Sequence, residues 1–475
     1  MLRVLGSPKR LCDGLTRRDS LLVGGLSLFG LSLADQMKAS EKLKPTGKAK
    51  ACILLFLYGS PSQIEMADMK PDAPVEIRGE FKPIRSSLPG CDVCELLPHT
   101  SRVMDKVTVV RSMTHKHPIH GVAFATTAVP EIDVPMELNP HDQKHWPFIG
   151  SVVSYLEEQS GKRKAVPDNI ALPFPFSSQR KGEVPRAGPY AAFLGSKYNP
   201  HFTRFHGTAN RQITKTLTTT TETFDEPYVG IDADCRFTLG DATRLPADVT
   251  VDRLNGRKSL LEQMEDARRN RIPTDDPFRE RAYDLIGNEK VRHALDVSRE
   301  QPKTRDRYGH TLFGQSCLTA RRLVEAGSKF VTVFWDEFGL AGSGWDTHWE
   351  HYPRMRNELM PGFDRGYAGL IADLDERGML DDTLVLVLSE HGRTPRLDNN
   401  KGGGRDHWSR AYSAFLAGGG VARGRVVGKT DKHGGDVTDN PVSPKDVLAT
   451  TLHLLGYNLE TTLVPSGRVI GEVLA

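Results

Sequence analysis

Thr383-Leu-Val-Leu-Val-Leu-Ser389 runs directly into Glu390-His391-Gly392-Arg393-Thr394-Pro395. Side chains on a strand alternate between its two faces, so a run that is apolar at consecutive positions has both faces buried. The residues that follow are the opposite in character: a carboxylate, an imidazole and a guanidinium close together. An apolar strand that ends in a polar cluster is what a helix-covered parallel sheet produces, because such sheets carry their sites at the carboxyl ends of their strands.

The pattern recurs along the chain. Ala51–Tyr58 (ACILLFLY) stops at Gly59 and is followed by Ser60-Pro61-Ser62. Val107–Arg111 (VTVVR) leads into Ser112-Met113-Thr114-His115-Lys116-His117-Pro118-Ile119-His120. Phe330–Trp335 (FVTVFW) is followed shortly by Trp345-Asp346-Thr347-His348-Trp349-Glu350-His351. Tyr412–Ala417 (YSAFLA) is preceded, not followed, by its cluster, Arg405-Asp406-His407-Trp408. Amphipathic helical patterns are interleaved with these strands: Thr311–Ala326 before Gly327, Arg354–Arg377 before Gly378, and a helix opened by Ser443 as cap and Pro444 in the first turn. Strands alternating with helices predict an α/β fold with a mostly parallel, doubly wound sheet. The stretch from about Val166 to Pro246 is rich in Pro, Gly, Thr and aromatics and reads as a loop-rich insertion (166–246), of loops and short strands, covering one end of the sheet. Asp252–Arg305 reads as charged helix with exposed faces.

Charge is concentrated at the start of the 475-residue chain. Residues 1–34 hold Arg3, Lys9, Arg10, Arg17 and Arg18 against Asp13 and Asp19, which accounts for the whole formal net charge of +3. The neutral remainder gives no electrostatic reason to expect a nucleic acid partner. Thr16-Arg17-Arg18-Asp19-Ser20-Leu21-Leu22 is a twin-arginine pattern, and the apolar run Leu21–Ala34 behind it is too short and too rich in Gly and Ser for a span of about 20 residues. Residues 1–34 are therefore expected to be a signal peptide. Ser32-Leu33-Ala34 forms a small-x-small cleavage site with Ala39 as the alternative, and the working domain occupies 45–475. The mature chain is then periplasmic or extracellular, with no stable membrane span. Six cysteines in so long a chain do not make a disulfide scaffold, and Cys91-Asp-Val-Cys94 has no second pair to complete a zinc site.

The strand-end rule gathers the polar clusters on one rim, the last of them joining from its loop. Asp346, His348, Glu390, His391 and His407 are the metal-ligand candidates. Carboxylate and imidazole together suit Zn²⁺ or Mn²⁺, with Mg²⁺ or Ca²⁺ where oxygens dominate. A bound divalent metal would polarise a phosphoryl or sulfuryl oxygen and activate water or an alcohol. Ser62, Thr114 and His120 are the candidates for attack on the substrate, and Arg393 for binding its anion in a bidentate grip. His351 reads as solvent-facing on the next helix, whereas His99, His201, His310 and His453 read as structural.

Taken in order, GSPSQIEMADMKPDAP, FKPI, ELLP, VVRSMTH, WDTH, EHGRTP and GRDHW resemble the DUF1501 family of exported proteins, within the alkaline phosphatase/sulfatase superfamily. The resemblance runs from about Ala51 to the C-terminus. It implies an alkaline-phosphatase-like α/β/α sandwich, with metal ligands on one rim at positions matching Asp346, His348, Glu390, His391 and His407. It also implies cleavage of phosphate or sulfate esters by a nucleophile at a helix start, where the loose match is His120. The sequence departs from the superfamily in carrying Gly59-Ser60-Pro61-Ser62 where an Asp usually follows the first strand, and in lacking a Cys-x-Pro-x-Arg motif. Two functions follow: a metal-dependent hydrolase of sulfate or phosphate esters outside the cytoplasm, or a non-catalytic metal-containing protein that binds anionic, sulfated or phosphorylated glycans or a protein partner.

Overall fold

Ala51–Leu57 (β1) lies inside an eight-stranded sheet, where all seven of its residues are buried. The computed structural model describes residues 47–118, 120, 126–129, 139–161, 166–180, 182, 185–217, 220–239, 288–339, 344–459 and 467–475. The chain divides into Met1–Thr46, which holds the twin-arginine segment and lies outside the described residues, and Gly47–Ala475. The other strands of the sheet are β2 (Val107–Met113), β3 (Asn169–Leu172), β4 (His201–Phe202), β5 (Phe330–Trp335), β6 (Thr383–Leu388), β7 (Tyr412–Ala417) and β8 (Arg425–Val427). Their order is β8-β2-β7-β6-β1-β5-β3-β4.

All pairings in this sheet are parallel except those of β7, which runs antiparallel to both β6 and β2. That exception decides the site. Strands β1, β2, β5 and β6 deliver their carboxyl ends to one rim, and β7 delivers its amino end there. The cluster that precedes β7 in sequence therefore reaches the same place as the clusters that follow the other strands.

Side-chain alternation along β1 divides the core. Ile53, Leu55 and Leu57 pack with Phe313, Cys317 and Leu318 of helix α2 (Leu312–Ala326) and with Phe363, Tyr367 and Leu370 of α3 (Met360–Glu376). Cys52, Leu54 and Phe56 face the other way, with Ile149 and Val153 of α1 (Ile149–Gln159) and Val447 and Leu448 of α4 (Pro444–Leu454). The result is a helix–sheet–helix sandwich. The helix ends follow local chemistry. Thr311 caps α2 by accepting from Gly314 N–H, and Gly327, in the left-handed region at φ 114°, ends it. Ser443 and Asp446 form a reciprocal capping box on α4, with Pro444 in the first turn.

Two expectations need correction. The segment read as insertion supplies two strands to the main sheet, β3 and the edge strand β4. Four residues before Pro173, and two residues in β4, are too short for an apolar run to stand out. The helix expected from Arg354 begins earlier, at His351, and passes through a π-helical turn at Met355–Leu359 before α3. Most of 252–305 lies outside the described residues. The five cysteines among the described residues are free and buried, Cys91 and Cys94 included. No described helix is long and apolar enough to cross a membrane.

Candidate metal centre

Four short segments meet beyond the rim, each held by its own backbone. Gly392–Arg393 forms an antiparallel ribbon with His407–Trp408, pairing Arg393 with His407 and so bringing the segment after β6 to the segment before β7. The turn after β1 packs against the Asp346 loop: a Cβ on Gly59 would lie 2.4 Å from Asp346 N. Gly59 takes φ 91° and gives its N–H to Glu390 Oε1 at 2.7 Å. Ser60 follows at φ 69°, a strained value for a residue with a side chain, and its Oγ accepts from His391 N–H at 3.1 Å. Fully buried Arg393 ties the segments together through the carbonyls of Gly59, Ser60 and Arg405 and through the Asp346 carboxylate.

The protonation pattern of the histidines can be read from their outer partners. His348 Nδ1 lies 2.6 Å from Asp406 Oδ1; an ionised carboxylate only accepts, so Nδ1 carries the proton. His348 Nε2 is then turned to Asp346 Oδ1 at 3.0 Å and to His407 Nε2 at 3.1 Å. His407 Nε2 lies 3.2 Å from the same Asp346 oxygen. A tetrahedral ion with bonds of about 2.0–2.1 Å spaces its ligand atoms by roughly 3.3–3.4 Å, close to the edges of this triangle. His391 donates Nδ1–H to its neighbour's carbonyl, Gly392 O, at 2.9 Å, and its buried Nε2 has no hydrogen-bond partner among the described residues. Glu390 Oε2 is buried and unpartnered in the same way. His120 bridges the cluster, with Nδ1 3.0 Å from Glu390 Oε1 and Nε2 3.3 Å from Asp346 Oδ2. The ligand atoms converge as two trios that share His407: Asp346, His348 and His407, and His120, His391 and His407.

Electrostatics separates the histidines into two kinds. Burial holds His391 well below the usual imidazole range and lowers His407, which leaves both neutral. Burial also acts on His120, but its hydrogen bonds to Asp346 and Glu390 outweigh it and hold the imidazolium up at about 9. His348 is raised by its bond to Asp346. Burial works against the Asp346 and Glu390 carboxylates. Hydrogen bonds from His120, His348 and His407 nevertheless hold Asp346 far below the carboxylate range, and His120 holds Glu390 at about 2.

Of the residues singled out from the sequence, Asp346, His348, Glu390, His391, His407 and His120 meet in this cluster. Ser62 lies apart, buried near Glu65. Thr114 gives its N–H to Val442 O, and no hydrogen bond joins its hydroxyl to the described cluster. Arg393 is turned inward, its donors taken by protein groups. His351 is fully buried rather than solvent-facing, bonded to Thr347 and lying 3.6 Å from Glu65. It belongs to a second buried network, where Arg405 pairs with Glu65 and donates to the carbonyls of Thr394, Pro395 and Ile77. Glu65 and Arg405 stand inside quoted motifs, yet no spacing rule pairs residues 340 positions apart. Asp336, directly after β5, and Arg186, which pairs with it at 2.8 Å, were also not legible. Only the position of Asp336 at a strand end was a signal for it.

The family model described as "Protein of unknown function (DUF1501)" matches residues 49–472. The chain belongs to the DUF1501 family. Among curated proteins nothing matches. Solved structures similar to this DUF1501 chain include a sulfatase from Pseudoalteromonas sp., 13% identical, covering 90% of this chain and 71% of that one at a TM-score of 0.37. A protein in the alkaline phosphatase superfamily from Vibrio parahaemolyticus is 13% identical over 91% of this chain and 72% of its own, at a TM-score of 0.37. A phosphonate monoester hydrolase from Silicibacter pomeroyi is 12% identical over 88% and 78%, at 0.33.

Proposed function

We propose that this DUF1501 chain is a divalent-metal-dependent hydrolase of anionic esters, sulfate or phosphate, that works outside the cytoplasm, with sulfated or phosphorylated glycans as the substrate class. One observation carries the metal: His348, its Nδ1–H fixed by Asp406, turns Nε2 into a triangle with His407 Nε2 and Asp346 Oδ1. Two imidazole Nε2 atoms and one carboxylate oxygen lie within 3.0–3.2 Å of one another, near the spacing that the ligands of a tetrahedral cation take, and they satisfy one another without a cation only when a proton sits on one of the two Nε2 atoms. The buried, unpartnered His391 Nε2 and Glu390 Oε2 support the same reading, since leaving such atoms unpaired is costly.

Asp346, His348 and His407 would hold the ion, with His391 of the second trio beside the shared His407. The metal, when bound, would supply Lewis-acid polarisation of an ester oxygen. The chain itself contributes His120, an imidazolium that turns Nδ1–H to Glu390 and Nε2–H to Asp346 and so is the group placed to pass a proton at the cluster. Of the three groups considered for attack on the substrate, His120 is favoured by position, because Ser62 is buried elsewhere and no hydrogen bond joins the Thr114 hydroxyl to the described cluster, and His120 would attack only after giving up one of its two protons. The burial of Ser62, with Arg393 committed to protein partners, favours the second reading, a metal-containing binding protein for anionic glycans.

The test is metal analysis of the mature wild type, Asp346→Ala and His391→Ala, with a panel of sulfate and phosphate esters. Stoichiometric metal in the wild type, weakened at least about tenfold in both variants, together with ester turnover, is the expected result. No metal in the wild type, or unchanged metal in both variants, rejects the site. Metal and glycan binding without turnover selects the second reading.

A further inference from the structure

Tyr58 stands at the end of β1, and its ring carries two groups. The His120 imidazole stacks on it, with centroids 4.9 Å apart and planes 27° apart. The Arg186 guanidinium carbon lies 3.9 Å from the centroid of the same ring. Arg186 comes from the 166–246 segment and is braced from the sheet. Its Nε donates to Asp336 Oδ2 at 2.8 Å, and its Nη2 donates to Asp336 Oδ1 at 3.2 Å and Glu337 Oε2 at 3.3 Å. Asp336 is buried and directly follows β5. Phe176, from the same segment, meets the Tyr58 ring edge-on at 5.8 Å.

The two in-plane contacts of His120, with Glu390 and Asp346, fix where its nitrogens point. They leave the ring free to tilt about the line joining them. A flat surface against the imidazole face removes that freedom, and the surface itself must be held. A guanidinium can do this because its plane stacks on an aromatic ring while its edge is bonded by a carboxylate, two tasks that a lysine ammonium cannot combine.

We infer that Arg186, acting through Tyr58, is a positioning residue for His120, so that the 166–246 segment sets the plane of the imidazole that meets Asp346 and Glu390. The inference rests on the reading of the cluster as the functional site, but its first measurement does not need a metal. In the full mature chain without metal, nuclear Overhauser contacts between the ring protons of His120 and Tyr58 report the stack. They are expected in the wild type and lost or weakened in Arg186→Ala and Arg186→Lys, while the thermal midpoints show that these variants are folded. Cobalt(II) then replaces the physiological metal. Arg186→Ala, Arg186→Lys and Tyr58→Leu are expected to weaken its binding about tenfold and change its visible spectrum, whereas Tyr58→Phe, which keeps the ring, stays within about twofold of the wild type. If Arg186→Ala does not fold, Arg186→Lys and Tyr58→Leu carry both measurements. Retention of both the ring contacts and the cobalt spectrum in a folded Arg186 variant overturns the inference. A wild type that takes up no cobalt rejects the metal reading alone, and the ring contacts still decide the positioning role.

Discussion

At the scale of the residue, Glu65 and Arg393 show how a motif can be found without its meaning. Both lie in stretches that the sequence marks, but burial turned them from surface chemistry into scaffolding. Arg393, flanked by ligand candidates, looked free to grip an anion; the loops it fastens supply enough carbonyls to occupy it. Glu65 pairs with Arg405 and lies near His351, and these outweigh burial to hold its carboxyl at about 2 against an ordinary 4.5. A depressed carboxylate contributes stability that is complete above its unfolded value and is lost as pH falls through the folded value. The window for Glu65 is therefore pH 4.5 down to about 2, with on the order of 3 kcal/mol at stake. His115, kept neutral by burial with its folded value lowered from 6.5 to about 4, adds an earlier loss between those values. Thermal midpoints measured from pH 7 to 2 should fall in both windows, and Glu65→Gln should flatten the lower one. A variant whose acid limb is as steep as the wild type's would contradict the assignment.

Elements were the most legible scale. Thr383–Leu388, Phe330–Trp335 and Tyr412–Ala417 lie where continuous apolar runs place them, because a strand buried on both faces writes itself into consecutive residues. The short β3 and β4 did not, since their pairing comes from neighbours and not from their own composition. Turns carry a different sort of information. Gly59 is required twice, by its φ of 91° and by the closeness of the Asp346 backbone. Gly90 shares the left-handed conformation at φ 77° but has nothing within 4 Å. Gly59→Ala should therefore cost upwards of about 2 kcal/mol and lower the metal content with it, whereas Gly90→Ala should cost about 1 kcal/mol and leave metal untouched. Denaturant titrations of the two variants, with metal analysis, give the comparison. Equal losses would mean that contact between the turn and the Asp346 loop is unimportant.

For the whole molecule, the convergence of the candidate ligands could be read in advance only because strand direction is a global rule. The antiparallel course of β7, which carries His407 to the rim, had no local signature. The N-terminal segment makes its own prediction. If Arg17 and Arg18 direct export, the double variant Arg17→Lys, Arg18→Lys should leave the precursor in the cytoplasm, as fractionation of expressing cells will tell; normal delivery would remove the twin-arginine reading. A signal of that type carries chains already folded, and the order of the sheet bears on when folding can finish. Strand β1 is made early, yet it is flanked by β5 and β6, whose residues are synthesised hundreds of positions later. Until Phe330–Trp335 has left the ribosome this apolar strand has two unpaired edges, and until Thr383–Leu388 follows it still has one. Completion of the core is thus tied to near-completion of translation. A growing chain must be sheltered until then, and any message truncated before residue 383 encodes an aggregation-prone fragment.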